Sequence, residues 1–413
     1  MFKRKFHTLI KRSLTGVLCA GLLITQPAVT YATEANVSAT PEAAHSATYS
    51  QAADTDSIKG WPTGPSIEGQ SAVLMDAVTD TILYSKNAND KLYPASITKI
   101  MTALLACENL DMDDTITMSQ EAAYGIESGS SSIYAETDEV FTVEQALMAL
   151  MLESANEMAL AIAEKTSGSV KKFVELMNQR AAQLGCKNTH FNNPNGLPDE
   201  THYTTASDMM KIAKAAWYNP LFRKFVTTQT YEIPPTSKQP ETRYLLNHHK
   251  MMEGQSYAYD GVLGGKTGYT NDAGSTLVTY AKRGNSILIA VVLNSTNGAF
   301  LDTASLFDYG FDNFEKIDMN VDSNPTPAKF LPCEKYLLKD NGNLCSFYYM
   351  RHVYVTVPSG TDVSQLVKKQ KLLNNTVGPK RIKSKYYFND HMVGYGMQYE
   401  KEILSDLLLS TSF

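Results

Sequence analysis

Hydrophobic periodicity changes twice along this chain, and the change restricts what the chain can fold into. Strand-length apolar runs at 71–76 and 81–85 are followed by segments whose apolar residues recur every three to four positions. Strand-length runs then return at 275–281 and 286–294. Two early strands, a helical middle and late strands predict an α+β domain built on one antiparallel sheet. A first helix is expected after Pro94, where Ile97, Ile100, Met101, Leu104 and Leu105 share a face. A second starts at Thr142, an N-cap residue, and is interrupted at 154–156; a third spans 170–184 and is closed by Gly185. A fourth runs from near Ser207 to before Pro220, a last one covers 302–314, and Gly284-Asn285 turns the two late strands.

Beyond about residue 318 the helical period is lost. Short β-rich runs at 336–338, 345–350, 352–357 and 386–388 predict a small all-β sandwich as a second domain. At the other end, residues 1–32 hold Lys3, Arg4, Lys5, Lys11 and Arg12 and no acid, then an apolar run over 14–24 and small residues at Thr30 and Ala32. That is the order of a secretory signal peptide, and the run is shorter than the roughly 20 residues a bilayer span takes. Residues 33–62 are dominated by Ala, Ser and Thr and read as a flexible leader, with structure expected from near Ile67. The expected plan is thus a signal peptide (1–32), a leader (33–62), a first domain (63–319) and a β-rich second domain (320–413), working outside the cytoplasm.

Lys+Arg number 37 against Asp+Glu 43, a formal charge of −6, which removal of the five leader cations would take to −11. A nucleic-acid partner, which needs a cationic surplus, is not expected. Cys107, Cys186, Cys333 and Cys345 lack the spacing of a zinc site, so no metal is expected. Cys107 reads as a core thiol; Cys333 and Cys345 flank a turn at Asp340-Asn341-Gly342-Asn343, and a disulfide between them is left open.

Three short motifs carry chemistry: Ser96-Ile97-Thr98-Lys99, Ser154-Ala155-Asn156 and Lys266-Thr267-Gly268. None is specific alone, since S-x-x-K recurs at Ser169 and Lys172, and S-x-N at Ser85 and Asn87 and at Ser295 and Asn297. Context separates the first set. Ser96 follows Pro94-Ala95 at a helix start, where N–H groups are unpaired and the helix dipole favours an oxyanion. Lys99 lies one turn on, on the same face. A serine hydroxyl needs a base to take its proton, and lysine serves as that base only when burial or a neighbouring cation lowers its pKa. Lys266 is the candidate cation. Ser154-Ala155-Asn156 suits a loop between helices, or a plain N-cap. The glycines around Lys266-Thr267 suit a strand approached closely by a ligand, or a glycine-rich turn. A phosphate loop is disfavoured because Asp260 stands where its first glycine would.

In this order the motifs resemble the serine D,D-peptidase and β-lactamase superfamily, and more closely the low-molecular-mass penicillin-binding D-alanyl-D-alanine carboxypeptidases. The resemblance rests on 93–102 (Tyr-Pro-Ala-Ser-Ile-Thr-Lys-Ile-Met-Thr), 152–156 (Leu-Glu-Ser-Ala-Asn), 193–198 (Asn-Pro-Asn-Gly-Leu-Pro) with His202-Tyr203 and Asp208, and 265–270 (Gly-Lys-Thr-Gly-Tyr-Thr), and it covers about 67–319. It implies a β-lactamase/D,D-peptidase-like domain, an antiparallel sheet with a helical cluster, that removes the terminal D-alanine from peptidoglycan pentapeptides. The route would be an acyl-enzyme, blocked covalently by β-lactams, with no cofactor. Ser96 would be the nucleophile and Lys99 its general base. Ser154 would pass a proton to the leaving amine, and Asn156 would orient Lys99 and the substrate amide. Lys266 and Thr267 would bind the terminal carboxylate, with Gly268, Tyr269 and Thr270 completing the substrate-binding strand. The N–H groups of Ser96 and Tyr269 would form the oxyanion hole.

The chain departs from the family pattern in three places. Tyr269 stands where many members have His, Ala155-Asn156-Glu157 where many have Gly-Asn-Asp, and 297–301 offers no Arg for the substrate carboxylate. A β-lactamase is disfavoured because no Glu-x-x-Leu-Asn stands between Asn156 and Lys266, so slow penicillin release is expected. A D,D-endopeptidase would use the same fold and the same motifs. A non-catalytic penicillin-binding wall scaffold would keep the fold too, but intact Ser96, Lys99, Ser154 and Lys266 argue against it.

Elsewhere, His248-His249 beside Met251-Met252 reads as a solvent loop, His202 as loop-fixing, and Tyr348-Tyr349 and Tyr386-Tyr387 as sheet core. Residues 400–409 have helical apolar spacing at Ile403, Leu404, Leu407 and Leu408 but are short and acidic. An anionic leaflet would not attract them, and membrane association is left open.

Overall fold

Ser71–Asp76 is buried at every position, which a strand achieves only when both faces of its sheet are covered. The computed structural model describes residues 51–296, 298–319, 336–338, 344–349, 352–373 and 381–402, the backbone alone for 336–338, 344–349 and 399–402. The first hairpin is β1 (Ser71–Asp76) and β2 (Thr81–Lys86). A 3-10 turn, Ala95–Thr98, leads into α1 (Lys99–Asn109), followed by β3 (Thr115–Thr117), α2 (Gln120–Tyr124) and β4 (Val140–Thr142). The helical middle continues with α3 (Val143–Leu152), α4 (Asn156–Ser167), α5 (Val170–Gln183), α6 (Ala206–Tyr218) and α7 (Pro220–Thr227). Then come the short strands β5 (Thr230–Ile233) and β6 (Arg243–Leu246), the long strands β7 (Val262–Thr270), β8 (Gly274–Arg283) and β9 (Ser286–Ser295), and α8 (Ala299–Asn313).

The main sheet is antiparallel with order β2-β1-β9-β8-β7, so the early strands meet the late ones directly, Ala72 opposite Val292. Side chains alternate between two cores. Val73, Met75, Val278 and Val291 pack with α1 and α3–α7; Ala72, Leu74, Leu277 and Val292 pack with Leu306 and Phe307 of α8.

The C-terminal region is β-rich over its described residues, as expected, with one 3-10 turn at Val363–Gln365. It comprises β10 (Phe314–Asp318), β11 (Tyr336–Leu338), β12 (Leu344–Tyr349), β13 (Tyr354–Pro358), β14 (Val367–Leu373), β15 (Arg381–Phe388) and β16 (His391–Glu402), joined in one seven-stranded antiparallel sheet. One edge of β16 carries β15 and then β14; the other is shared by β13, at Gly394, and β12. Its Val353, Val355, Val357, Tyr386 and Val393 join the second core, beneath α8 and β1. A polar cluster fastens the junction: buried Asp76 pairs with Lys316 Nζ at 3.0 Å and accepts from Thr356 Oγ1 at 3.0 Å.

Several expectations need correction. Residues 51–62 of the expected leader are in place: Ala53 and Thr55 are buried, and Trp61 donates to the Leu83 carbonyl at 2.9 Å with Phe314 and His391 against its ring. One large aromatic supplies the apolar surface that Ala, Ser and Thr lack, so ordered chain begins ahead of Ile67. A helix not expected, α7, follows Asn219, whose Oδ1 accepts from the N–H groups of Leu221 and Phe222, with Pro220 at its first position. β14 is a further addition, because its Lys-rich sequence carries no apolar alternation. The last helix begins three residues early, at Ala299. Residues 400–402 end a strand; 403–409 and Cys333 lie outside the described residues.

Candidate active site

Ala95 has φ +51°, a left-handed conformation rare for a residue with a Cβ, and it opens the 3-10 turn that carries Ser96 into α1. Lys99, the first residue of α1, is fully buried. Its Nζ lies 2.6 Å from Asn156 Oδ1, 2.6 Å from the Asn195 carbonyl oxygen and 3.0 Å from Ser96 Oγ. Burial, and then the charge of Lys266, hold its pKa well below the ordinary lysine value against an opposing pull from Glu157. A neutral amine has two hydrogens and one lone pair. The two carbonyl oxygens take both hydrogens, which leaves the lone pair for the Ser96 hydroxyl.

The second motif is a break between helices, in keeping with its sequence. α3 ends at Leu152, Ser154 turns the chain at φ +58°, and α4 starts at Asn156. The left-handed turn costs about 1–3 kcal/mol and sets both side chains beside the buried amines. Lys266, in β7, donates to Ser154 Oγ at 3.1 Å and to the Thr267 carbonyl at 2.8 Å, and burial lowers its pKa to about 7.

β7 is the last strand of the sheet, and it passes against the nucleophile turn. A Cβ on Gly268 would lie 2.8 Å from the Ser96 nitrogen and 2.4 Å from Thr276 Oγ1, so only glycine fits there. Thr276 Oγ1 donates to the Pro94 carbonyl at 2.8 Å, tying the turn to β8. Ser96, Lys99, Ser154, Asn156, Lys266, Thr267, Gly268 and Tyr269 therefore converge. Thr270 does not: its hydroxyl accepts from the Ala273 N–H at 3.0 Å and closes the β7–β8 turn.

The loop after α5 contributes what sequence reasoning missed. Asn195 offers its backbone carbonyl to Lys99, held by Asn193, whose Oδ1 accepts from the Gly196 N–H at 2.7 Å. Gly196 has φ +91°, and a Cβ there would collide with the Ala95 carbonyl at 1.9 Å. His202 fixes this loop, as expected. Its Nδ1 accepts from the Asn192 N–H at 3.0 Å, so Nε2 carries the proton and donates to Thr98 Oγ1 at 2.9 Å. Burial lowers its pKa to about 4, which keeps it neutral.

A cleft of about 640 Å³ opens above Ser96, lined by Ser154, Thr267, Gly268, Tyr269, Lys250 and Phe300. Tyr257 stacks on Phe300 with ring centroids 5.2 Å apart. The His248-His249 segment is not a free solvent loop. His248 borders the cleft and pairs with Glu153 at 3.0 Å, while His249 is buried under β7, 2.9 Å from Thr279 Oγ1. The glycines of β7 made the room: a Cβ on Gly265 would sit 2.6 Å from His249 Nε2.

Comparison with known proteins gives the family. The profile of the Peptidase_S11 family, D-alanyl-D-alanine carboxypeptidase, matches residues 59–297. The chain is 34% identical over 319 residues to the D-alanyl-D-alanine carboxypeptidase DacF of Bacillus subtilis (76% of this chain, 78% of that one). It is 35% identical over 260 residues to a D-alanyl-D-alanine carboxypeptidase of Streptomyces sp. strain K15 (60% and 89%). Among solved structures, penicillin binding protein 5 from Haemophilus influenzae aligns with TM-score 0.66 and 25% identity over 83% of this chain and 99% of that one. The Streptomyces K15 DD-transpeptidase aligns with TM-score 0.57 and 32% identity over 61% and 100%. The chain belongs to the D-alanyl-D-alanine carboxypeptidase family of serine peptidases.

Proposed function

We propose that the chain hydrolyses the terminal D-alanine from peptidoglycan pentapeptide stems outside the cytoplasmic membrane, through an acyl-enzyme on Ser96. The observation that carries this is the placement of Lys99 Nζ, 3.0 Å from Ser96 Oγ and 2.6 Å from two carbonyl oxygens. There the free amine would give both hydrogens to the carbonyls and keep its lone pair for the Ser96 hydroxyl. The peptide would lie along the free edge of β7 as an added strand, its carboxylate at Lys266 and Thr267. Lys250, which lines the same cleft as Thr267, would be the cation that takes the place of the absent Arg at 297–301.

In acylation the Ser96 proton moves to Lys99 Nζ as Oγ attacks the carbonyl carbon of the penultimate D-alanine. The N–H groups of Ser96 and Tyr269 hold the oxyanion. The C–N bond then breaks, the leaving amine receives a proton through Ser154 Oγ, and water attacks the resulting ester with Lys99 again as base. β-Lactams acylate the same hydroxyl and leave slowly, since no Glu-x-x-Leu-Asn stretch stands between Asn156 and Lys266 to activate water.

Two measurements test the reading. Labelling with a fluorescent penicillin followed by peptide mapping should place the tag on Ser96, and D-alanine release from a pentapeptide should vanish in Ser96→Ala. A tag elsewhere, or release by the variant, overturns the site; no release by either protein favours a wall-binding scaffold. Among the described residues no helix is long and apolar enough to cross a membrane.

A further inference from the structure

β14 and β15 hold six cations and no acid: Lys368, Lys369, Lys371, Arg381, Lys383 and Lys385. The whole chain, by contrast, has a formal charge of −6. Alternation along β15 sorts its side chains, with Ile382, Ser384 and Tyr386 buried and Arg381, Lys383, Lys385 and Tyr387 partly exposed on the outer face. The register sets Lys369 opposite Lys385 and Lys371 opposite Lys383 on that face, with Arg381 opposite Leu373. Directly opposed like charges destabilise a strand pair. Among the described side chains, Asp390 forms an ion pair with the lysine ladder, 3.7 Å from Lys369 on a side chain 97% exposed. Tyrosine rings support the lysines, Lys369 Nζ 4.5 Å from the Tyr387 ring and Lys383 Nζ 5.0 Å from the Tyr395 ring. The result is a ladder of cations about 6.7 Å apart along each strand and about 5 Å across.

We propose that this outer face binds a linear phosphodiester polymer of the poly(glycerol phosphate) type, lying along the strands with its phosphates between the opposed lysines. The charge repeat of such a chain is close to the two-residue strand repeat, and one phosphate beside each pair relieves the repulsion that the fold alone leaves. A bilayer fits less well, because the aliphatic side chains of this face, Val367 and Leu373, stand at the two ends of β14 rather than in one insertable patch. The inference is independent of the reading of the cleft.

The test is titration of the full chain with soluble poly(glycerol phosphate). Wild type is expected to bind, and to weaken on the order of 100-fold between about 50 and 200 mM salt. Joint replacement of Lys369, Lys371, Lys383 and Lys385 by Gln should cost on the order of 100-fold in affinity while the thermal midpoint holds or rises. A charge-matched control replacing the exposed Lys171, Lys172, Lys187 and Lys238 by Gln should stay within about threefold of wild type. Replacing the four ladder lysines by Arg should retain binding. Equal loss in the control, no loss in the ladder variant, no binding by wild type, or lysine-dependent binding to phosphatidylglycerol vesicles but not to the polymer would overturn it.

Discussion

The side chains of Lys99 and Lys316 are both withdrawn from water, at 0% and 1% exposure, but their surroundings differ in one respect. At the junction of the two sheets, Lys316 faces the carboxylate of Asp76, with Thr356 and the Val78 N–H on the remaining lone pairs. Burial lowers its pKa, and Asp76 pulls it back up. Beneath the cleft, Lys99 faces an amide oxygen, a backbone carbonyl and a hydroxyl, with a second lysine nearby. Burial is costly for an unpaired charge and tolerable for a paired one. The same residue type is therefore held as a cation where it joins two parts of the fold, and driven towards the free amine where a base is needed.

Substitution should separate the two environments. The largest expected effect is on chemistry: Ser96→Ala should lower kcat/KM for D-alanine release by about 10⁴- to 10⁶-fold, and Lys99→Met by about 10²- to 10⁴-fold. Denaturant unfolding of Lys99→Met should change far less than that of Lys316→Met. In the latter, Asp76 is left as an unpaired buried charge, and stability should fall by about 3–5 kcal/mol with penicillin acylation intact in the folded fraction. Replacing Asp76 by Leu together with Lys316 by Met should recover part of that loss. A Lys316→Met protein as stable as wild type would break the comparison.

Next in size is the cleft lining. Lys250→Ala should raise KM for the pentapeptide by about tenfold with kcat little changed, the pattern of a lost ground-state contact to a carboxylate. The smallest effect is on pH dependence. Protonation of Lys99 should bring kcat/KM down on the acid side, and loss of the Lys266 proton near its lowered pKa of about 7 should bring it down on the alkaline side. Lys266→Arg should remove the alkaline fall. For stability the sign is opposite to that of a paired group. Between pH 7 and 10.5 the unfolded chain holds a proton that folded Lys266 has released, so unfolding free energy should rise with pH across that window, and less steeply in Lys266→Met, where buried Lys99 still contributes.

Much of this was legible in the sequence. The apolar runs of β1, β8 and β9 announced the strands of an antiparallel sheet, and the three-residue step from Ser96 to Lys99 put both on one face of a turn. The break at Ser154-Ala155-Asn156 was legible because Ser and Asn compete with helical hydrogen bonds. What escaped depended on distant parts of the chain. Asn195 acts through a backbone carbonyl, which has no side-chain signature; Lys250 and Phe300 join Thr267 in lining one cleft only after folding. Trp61 orders a polar leader by packing on Phe314 and Phe388 from the far end of the chain. β14 reads as a solvated charged stretch until its pairing with β15 is known.

The protonation state of Lys99 in the resting enzyme is the central claim, and NMR of the full chain with ¹³Cε-labelled lysine, assigned through Lys99→Met, reads it directly. The Lys99 resonance is expected to titrate far below the ordinary lysine value of 10.5 and to move when Lys266 is replaced by Met. A Lys99 that remains an ammonium up to that ordinary value would contradict the account.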